Sequence, residues 1–246
     1  MLILGFGNKA RQGKDTAAEA IRDYYEHKMS WNEDERRCTE GNTKVGVFKF
    51  ATALYEEVNQ FLKVYSGQDN VGTWQNFSPD LTVDISQWVY CNNESHDHGI
   101  YKNVMIPDWV TPEPNPEVSA LAPYGKHPKL LQWWGTEFRR AQDPDYWTKK
   151  LFASIPANLD IAIVTDVRFQ NEADGIRQRG GYNVNIQRLR DDGTRFYSSD
   201  RPVDHPSETS LDGYDWDFYL KTKGSHIALL GEQAITLVEY LRGLNG

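Results

Sequence analysis

Residues 2–16 read LILGFGNKARQGKDT, and this stretch decides the fold. Leu2, Ile3 and Leu4 are the apolar run of a buried strand. The chain then breaks into a glycine-containing turn, and Gly13-Lys14 opens a segment with helical spacing at Ala17, Ala20, Ile21 and Tyr24. Strand, loop and helix in that order are the setting of a phosphate-binding loop. The first N–H groups of a helix lack intrahelical partners and the helix dipole is positive there, so both attract an anion. Lys14 adds a point charge near the β- and γ-phosphates of a nucleotide. The spacing departs from the strict pattern in two places. Counting five residues back from Gly13 reaches Asn8, a residue type that tolerates left-handed backbone. Either Asn8 makes the turn, or the loop is one residue longer and Gly7 makes it. After Lys14 the pattern asks for a hydroxyl to ligate magnesium; here Asp15 comes first and Thr16 second, so either is the candidate ligand. Without a phosphate to hold, the same stretch would be an ordinary strand–turn–helix with a surface lysine.

Around this loop the chain alternates strand-like and helix-like segments, which predicts an α/β fold with a doubly wound parallel sheet of about five strands. Residues 45–50 (VGVFKF) read as a strand, followed by a helix with Leu54, Val58, Phe61 and Leu62 on one face. Residues 66–128 hold most of the prolines and little periodicity, and are expected to be an irregular insertion within a single domain spanning 1–246, with short strands at 81–85 and 88–90. Helical spacing returns with Leu130, Trp134 and Phe138. Asp143-Pro144 then reads as an N-cap with proline at the first helical position, opening a helix that carries Trp147 and Leu151. The near-continuous apolar run at 161–165 (IAIVT) predicts a central parallel strand covered on both faces. A helix through Glu172, Ile176 and Arg179 stops at Gly180-Gly181. Tyr182, Val184 and Ile186 alternate with polar residues as in a strand, and a last helix presents Ala234, Leu237, Val238 and Leu241.

At 246 residues the length suits one sizeable core. No stretch reaches the length of a membrane span, and the amino-terminal apolar run is too short for a signal peptide. Two cysteines, Cys38 and Cys91, make no disulfide framework, which suits a cytoplasmic protein. A net charge of −8 argues against a nucleic-acid coat but leaves room for a nucleotide held by a few local cations.

A second chemical segment lies at 165–174, TDVRFQNEAD. Asp166 falls where a central strand ends, and in open parallel sheets ligands bind at the carboxyl ends of strands. Arg168 has the planar fork that grips phosphate. Glu172, one helical turn on, either orients Arg168 or faces substrate. A helix-capping Asp with a solvated Arg–Glu pair is the alternative. Cys91, His96 and His98 lie close together, but no fourth ligand stands nearby, so they read as a polar loop rather than a zinc site. Trp133 and Trp134 sit at core spacing.

GKDT near the amino terminus, LLQWWGTEFRR at 130–140, DPDYWTKKLF at 143–152, TDVRFQNEAD and HPSE at 205–208 occur in one order that resembles the deoxynucleoside monophosphate kinases of tailed bacteriophages. The resemblance covers the chain up to about residue 60 and from Lys129 to Leu220; the insertion at 66–128 matches nothing in it. It implies a P-loop kinase that moves the γ-phosphoryl group of ATP onto a deoxynucleoside monophosphate, with magnesium, in a host cytoplasm, and it leaves room for a homodimer. It implies that Asn8, Gly13, Lys14, Asp15 and Thr16 hold ATP and magnesium, that Lys14, Arg11 and Arg168 act on the transferring phosphoryl group, and that Gly135, Thr136, Glu137, Trp147, Asp166, Arg168, Glu172 and Glu208 line the acceptor side. Trp147 would stack on the acceptor base; His205 would join Glu208 as a nucleotide contact, and Arg139 is a weaker member. Tyr55 stands where a lysine would suit an acceptor phosphate, so Lys49 or Lys129 would supply that cation. The rival expectations are another kinase with a GKD loop, resembling dephospho-coenzyme A kinase or phosphomevalonate kinase, and a nucleotide-binding protein without turnover.

Overall fold

The computed structural model describes residues 1–7, 9–27, 29–32, 37–40, 43–65, 82–83, 104–105, 107, 109–110, 117–198, 204, 206–224 and 226–244. Its strands are β1 (Leu2–Gly7), β2 (Met29–Asn32), β3 (Arg37–Glu40), β4 (Val45–Phe48), β5 (Thr82–Val83), β6 (Val104–Met105), β7 (Ile161–Val167), β8 (Tyr182–Leu189) and β9 (Phe218–Lys223). Its helices are α1 (Lys14–His27), α2 (Phe50–Tyr65), α3 (Pro128–Gln132) running on into a π-helix (Trp133–Arg140), α4 (Tyr146–Ser154), α5 (Gln170–Arg177), α6 (Pro206–Thr209) and α7 (Ile227–Leu244). The chain divides into two compact units, Met1–Phe50 with Trp147–Gly246, and Ala51–Tyr146. The second unit is wider than the insertion expected at 66–128, because it takes in the helices on both sides of the proline-rich stretch.

The first unit is built on a five-stranded sheet in the order β4-β7-β1-β8-β9, parallel at every pairing. The apolar run of β7 does become a central strand, between β4 and β1. On one face Leu4, Phe6, Ile161 and Ile163 pack with Ala17, Ala18 and Ile21 of α1 and with Leu230, Ala234, Val238 and Leu241 of α7. The alternate residues point the other way, toward α5. A Cβ on Gly5 would collide with Ile176 of α5 and with Asn183, so the glycine sets how closely α5 approaches β1. Gly180, at φ 72°, closes α5: the Gly181 N–H donates to the Ile176 carbonyl and the Gly180 N–H to the Arg177 carbonyl.

Four local readings shift. The buried face of α1 runs through Ala17, Ala18, Ile21 and Tyr25, while Tyr24 is 36% exposed. In β8 the polar alternates Asn183 and Asn185 are as buried as Val184 and Ile186, since helices and neighbours cover both faces; Asn183 Nδ2 donates to the Ala173 carbonyl at 2.9 Å. The edge strand β9 escaped the sequence reading. Helix α4 begins at Tyr146, not at Pro144, although Asp143 still caps the turn by accepting the Asp145 N–H at 3.0 Å.

In the second unit β5 and β6 pair antiparallel, which accounts for part of the strand expected at 81–85; residues 88–90 lie outside the described residues. Leu130, Trp134 and Phe138 are buried as expected, yet Trp133–Arg140 winds as a π-helix. Residues five apart stack over one another in that geometry. Trp134 Nε1 and Arg139 Nε therefore both donate to Glu57 Oε2, at 3.0 and 2.9 Å, while the Tyr146 hydroxyl donates to Glu57 Oε1. Among the described residues no helix is long and apolar enough to cross a membrane.

Candidate functional site

From β1 the chain crosses to β4, returns to β7 beside β1, and then passes to β8 on the other flank of β1. The winding reverses next to β1, and in open parallel sheets that reversal opens a crevice at the carboxyl ends of the strands. The loop after β1 leaves at this point and feeds α1. Asn8 lies outside the described residues. Gly7 is not left-handed; its Cβ would strike the Trp216 ring, so packing demands glycine there. Among the described residues of the loop, the left-handed positions are Arg11, at φ 54°, and Gly13, at φ 96°. A non-glycine residue held at positive φ is uncommon and is concentrated where a loop must wrap around something.

Lys14 is the first residue of α1 and only 7% exposed. Its Nζ donates to the Lys9 carbonyl at 2.5 Å, folding the side chain back along the loop. Burial is the main force on its pKa, which falls from 10.5 to about 7; Arg168 lowers it further, and Glu208, Asp166 and Asp15 pull it back. Asp15, on the same turn, accepts hydrogen bonds from Lys49 Nζ at 2.8 Å and Thr165 Oγ1 at 2.7 Å. Its partial burial pushes its pKa up, but these two hydrogen bonds and the charges of Lys49 and Lys14 outweigh that and hold it below the ordinary carboxylate value. Thr16 is exposed on this first turn.

A short helix far along the chain props the loop. Glu208 of α6 accepts the Ala10 N–H at 2.8 Å through one carboxylate oxygen and Arg168 Nη1 at 2.6 Å through the other. Lys9 Nζ donates to the Glu208 carbonyl at 2.6 Å and to Asp212 at 2.9 Å. The loop and the arginine that follows β7 are thus tied to one carboxylate that is itself 9% exposed. Gln12, fully buried, uses both ends of its amide. Its Nε2 donates to the Ala10 and Phe196 carbonyls, at 3.1 and 3.0 Å, and its Oε1 accepts the Arg188 N–H at 2.7 Å.

Lys14, Asp15, Asp166, Arg168 and Glu208 therefore belong to one neighbourhood. Asp166 Oδ1 accepts the N–H of Phe50, the first residue of α2, at 2.8 Å, which is a helix-capping contact. Glu172, 2% exposed, accepts the Arg168 and Phe169 N–H groups at 2.8 and 3.1 Å, so it caps α5 through backbone; Glu208 is the carboxylate on the Arg168 guanidinium. Trp147 is 3% exposed, which leaves no ring face open for the base stacking expected of it. Gly135, Thr136, Glu137, Arg139, Lys129 and Tyr55 belong to the second unit. His205, Cys91, His96 and His98 lie outside the described residues, among which no cluster of three or more His, Cys, Asp or Glu side chains is placed to hold a metal. Sequence reasoning passed over Lys9, Gln12, Thr165 and Asp212. Their partners lie far away in sequence, and no spacing rule connects them.

Neither a protein-family model nor a curated protein sequence matches the chain.

Proposed function

We propose that this chain transfers the γ-phosphoryl group of ATP to a deoxynucleoside monophosphate. The observation that carries the reading is the buried ammonium of Lys14, folded onto a loop with two left-handed residues where the central strand ends and a helix begins. That geometry sets a lysine and the amino-terminal end of a helix, where the dipole is positive, at one point of the sheet.

Phosphoryl transfer asks the protein for in-line positioning and for cations around the moving group, with little covalent chemistry of its own. Lys14 and the amino-terminal N–H groups of α1 bind the phosphate chain of ATP. Arg168, aimed by Glu208, offers its remaining guanidinium donors to the transferred group, and Arg11 at the tip of the loop adds a further cation. Lys49 at the carboxyl end of β4 supplies the cation for the acceptor phosphate. That phosphate is already an anion at neutral pH, so no general base is demanded. Magnesium fits the donors present: Asp15 is ionised and partly exposed, the Thr16 hydroxyl shares its turn, and magnesium is commonly held by one or two carboxylates together with substrate phosphates. Bound there, it would neutralise charge on the phosphates.

The test is ADP release with ATP and a panel of acceptors: the deoxynucleoside monophosphates, dephospho-coenzyme A and phosphomevalonate. Formation of a deoxynucleoside diphosphate supports the reading. Turnover with only one of the other acceptors reassigns the kinase, and ATP binding without ADP formation makes the protein a nucleotide-binding module.

A further inference from the structure

Residues 188–196 extend the carboxyl end of β8 as a hairpin. The Arg190 N–H donates to the Thr194 carbonyl at 2.7 Å and the Phe196 N–H to the Arg188 carbonyl at 2.9 Å, around a turn with Gly193 at φ 84°. Both legs of this hairpin are bolted to the phosphate loop through Gln12, which holds the Arg188 N–H and the Phe196 carbonyl. The hairpin carries Arg195, whose Nε and Nη2 are buried and have no hydrogen-bond partner among the described residues. A guanidinium cannot shed its charge by losing a proton, and enclosed donors left unmade are costly. Arg195 faces the ring of Tyr197 at 5.8 Å, and Lys9 of the loop faces the same ring at 5.9 Å. Tyr197 is 44% exposed, so one partly solvated ring touches both the hairpin's cation and the loop's.

We propose that Arg195 is a nucleotide-binding residue: its guanidinium fork receives the phosphate chain of the nucleotide held by the loop, and the hairpin at 188–196 is the arm that delivers it. This rests on the phosphate-loop reading above. An anionic oxygen pair is the ligand that satisfies two parallel N–H donors and their charge together. The Gln12 clamp keeps the arm in register with the loop, and the Tyr197 ring yields when the anion arrives.

The experiment measures binding of ATP and of inorganic tripolyphosphate by titration calorimetry to the full chain and to Arg195→Met and Arg195→Lys, alongside the melting temperature of each free protein. Arg195→Met is expected to weaken both ligands by about 10- to 100-fold, as loss of a charge-assisted hydrogen bond does. Arg195→Lys should recover only part, because it keeps the charge and loses the fork. The free Arg195→Met protein should melt within a degree or two of the parent, since no hydrogen bond of Nε or Nη2 among the described residues is lost and the exposed contact with the Tyr197 ring is worth little. Equal affinity in Arg195→Met and parent overturns the proposal while leaving the phosphate loop intact. A marked drop in melting temperature of the free variant also overturns it, by showing that Arg195 serves the fold. If the parent binds neither ligand, the phosphate-loop reading has itself failed, and this proposal with it.

Discussion

Lys14 is held in a place that opposes its own charge, and this has a consequence for stability. Folded, its pKa is about 7; unfolded, it returns toward 10.5. Between those values the unfolded chain binds more protons than the folded one, so stability rises with pH through this window. Below about pH 7 both states are protonated and the full penalty of burying the ammonium applies. Urea titrations from pH 6 to 10 should show this upward slope in the parent and a flatter one in Lys14→Met. In the kinase assay Lys14→Ala should lose on the order of 10²–10³ in rate, the usual scale for one preorganised charge contact, with its circular dichroism unchanged. Near-normal turnover by the folded variant would remove Lys14 from the reaction. Glu208 sets a second test. Glu208→Gln keeps an acceptor for the Ala10 N–H and loses the charge on Arg168, so kcat should fall while the ATP KM moves little. If kcat holds and only stability drops, the carboxylate is a prop for the loop alone.

Among the elements, the π-helix is where local sequence and tertiary demand meet. An α-helix would place Trp134 and Arg139 on different azimuths; the wider turn brings both onto Glu57, which is 3% exposed opposite an Arg139 that is 2% exposed. Arg139 is also flanked by the Phe138 and Tyr146 rings at 4.9 and 4.7 Å. Removing one partner of a buried ion pair strands the other, which costs about 3–5 kcal/mol. Glu57→Leu should therefore lower unfolding free energy by about that amount, and Glu57→Leu with Arg139→Met should recover a good part of it. Equal losses in the single and double variants would show that the pair's charge is not what matters. In the first unit, Gly5→Ala pushes a methyl into Ile176 and Asn183 and should cost about 1–3 kcal/mol by overpacking, read from the shift in urea midpoint.

At the scale of the molecule, stability in the first unit is centred on β1 and β7, which are flanked by other strands and buried along nearly their whole length. Amide hydrogen exchange should find these two strands opening only with global unfolding, while the edge strands β4 and β9 exchange through smaller openings. Faster exchange in β1 than in β9 would contradict this ordering. Five cations, Lys9, Arg11, Lys14, Lys49 and Arg168, lie at or just beyond the carboxyl ends of the first three sheet strands, interleaved with the carboxylates Asp15, Asp166 and Glu208.

The parallel sheet was legible because its signals are local: the apolar runs of β1 and β7, the helical faces at Ala234 and Val238, and the glycines after Arg179 report burial and chain reversal without reference to anything distant. The loop was legible for the same reason, since Gly13 and Lys14 sit where strand turns into helix. What the sequence could not convey is which partners those residues take. Asp166 accepts the first N–H of α2, the helix-capping contact that the sequence held open as its alternative, Glu172 accepts the N–H of Arg168, and Trp147 is enclosed. Glu208 meets Arg168 and Ala10 from a remote turn of four residues, and Gln12 meets a hairpin that the periodicity did not announce. Sequence determined the inner strands, the long helices and the place where strand turns into helix, because propensity and hydrophobic period act between near neighbours. Tertiary structure alone decided the hydrogen-bond partners, because buried donors and acceptors must be satisfied by whatever the fold brings within about 3 Å.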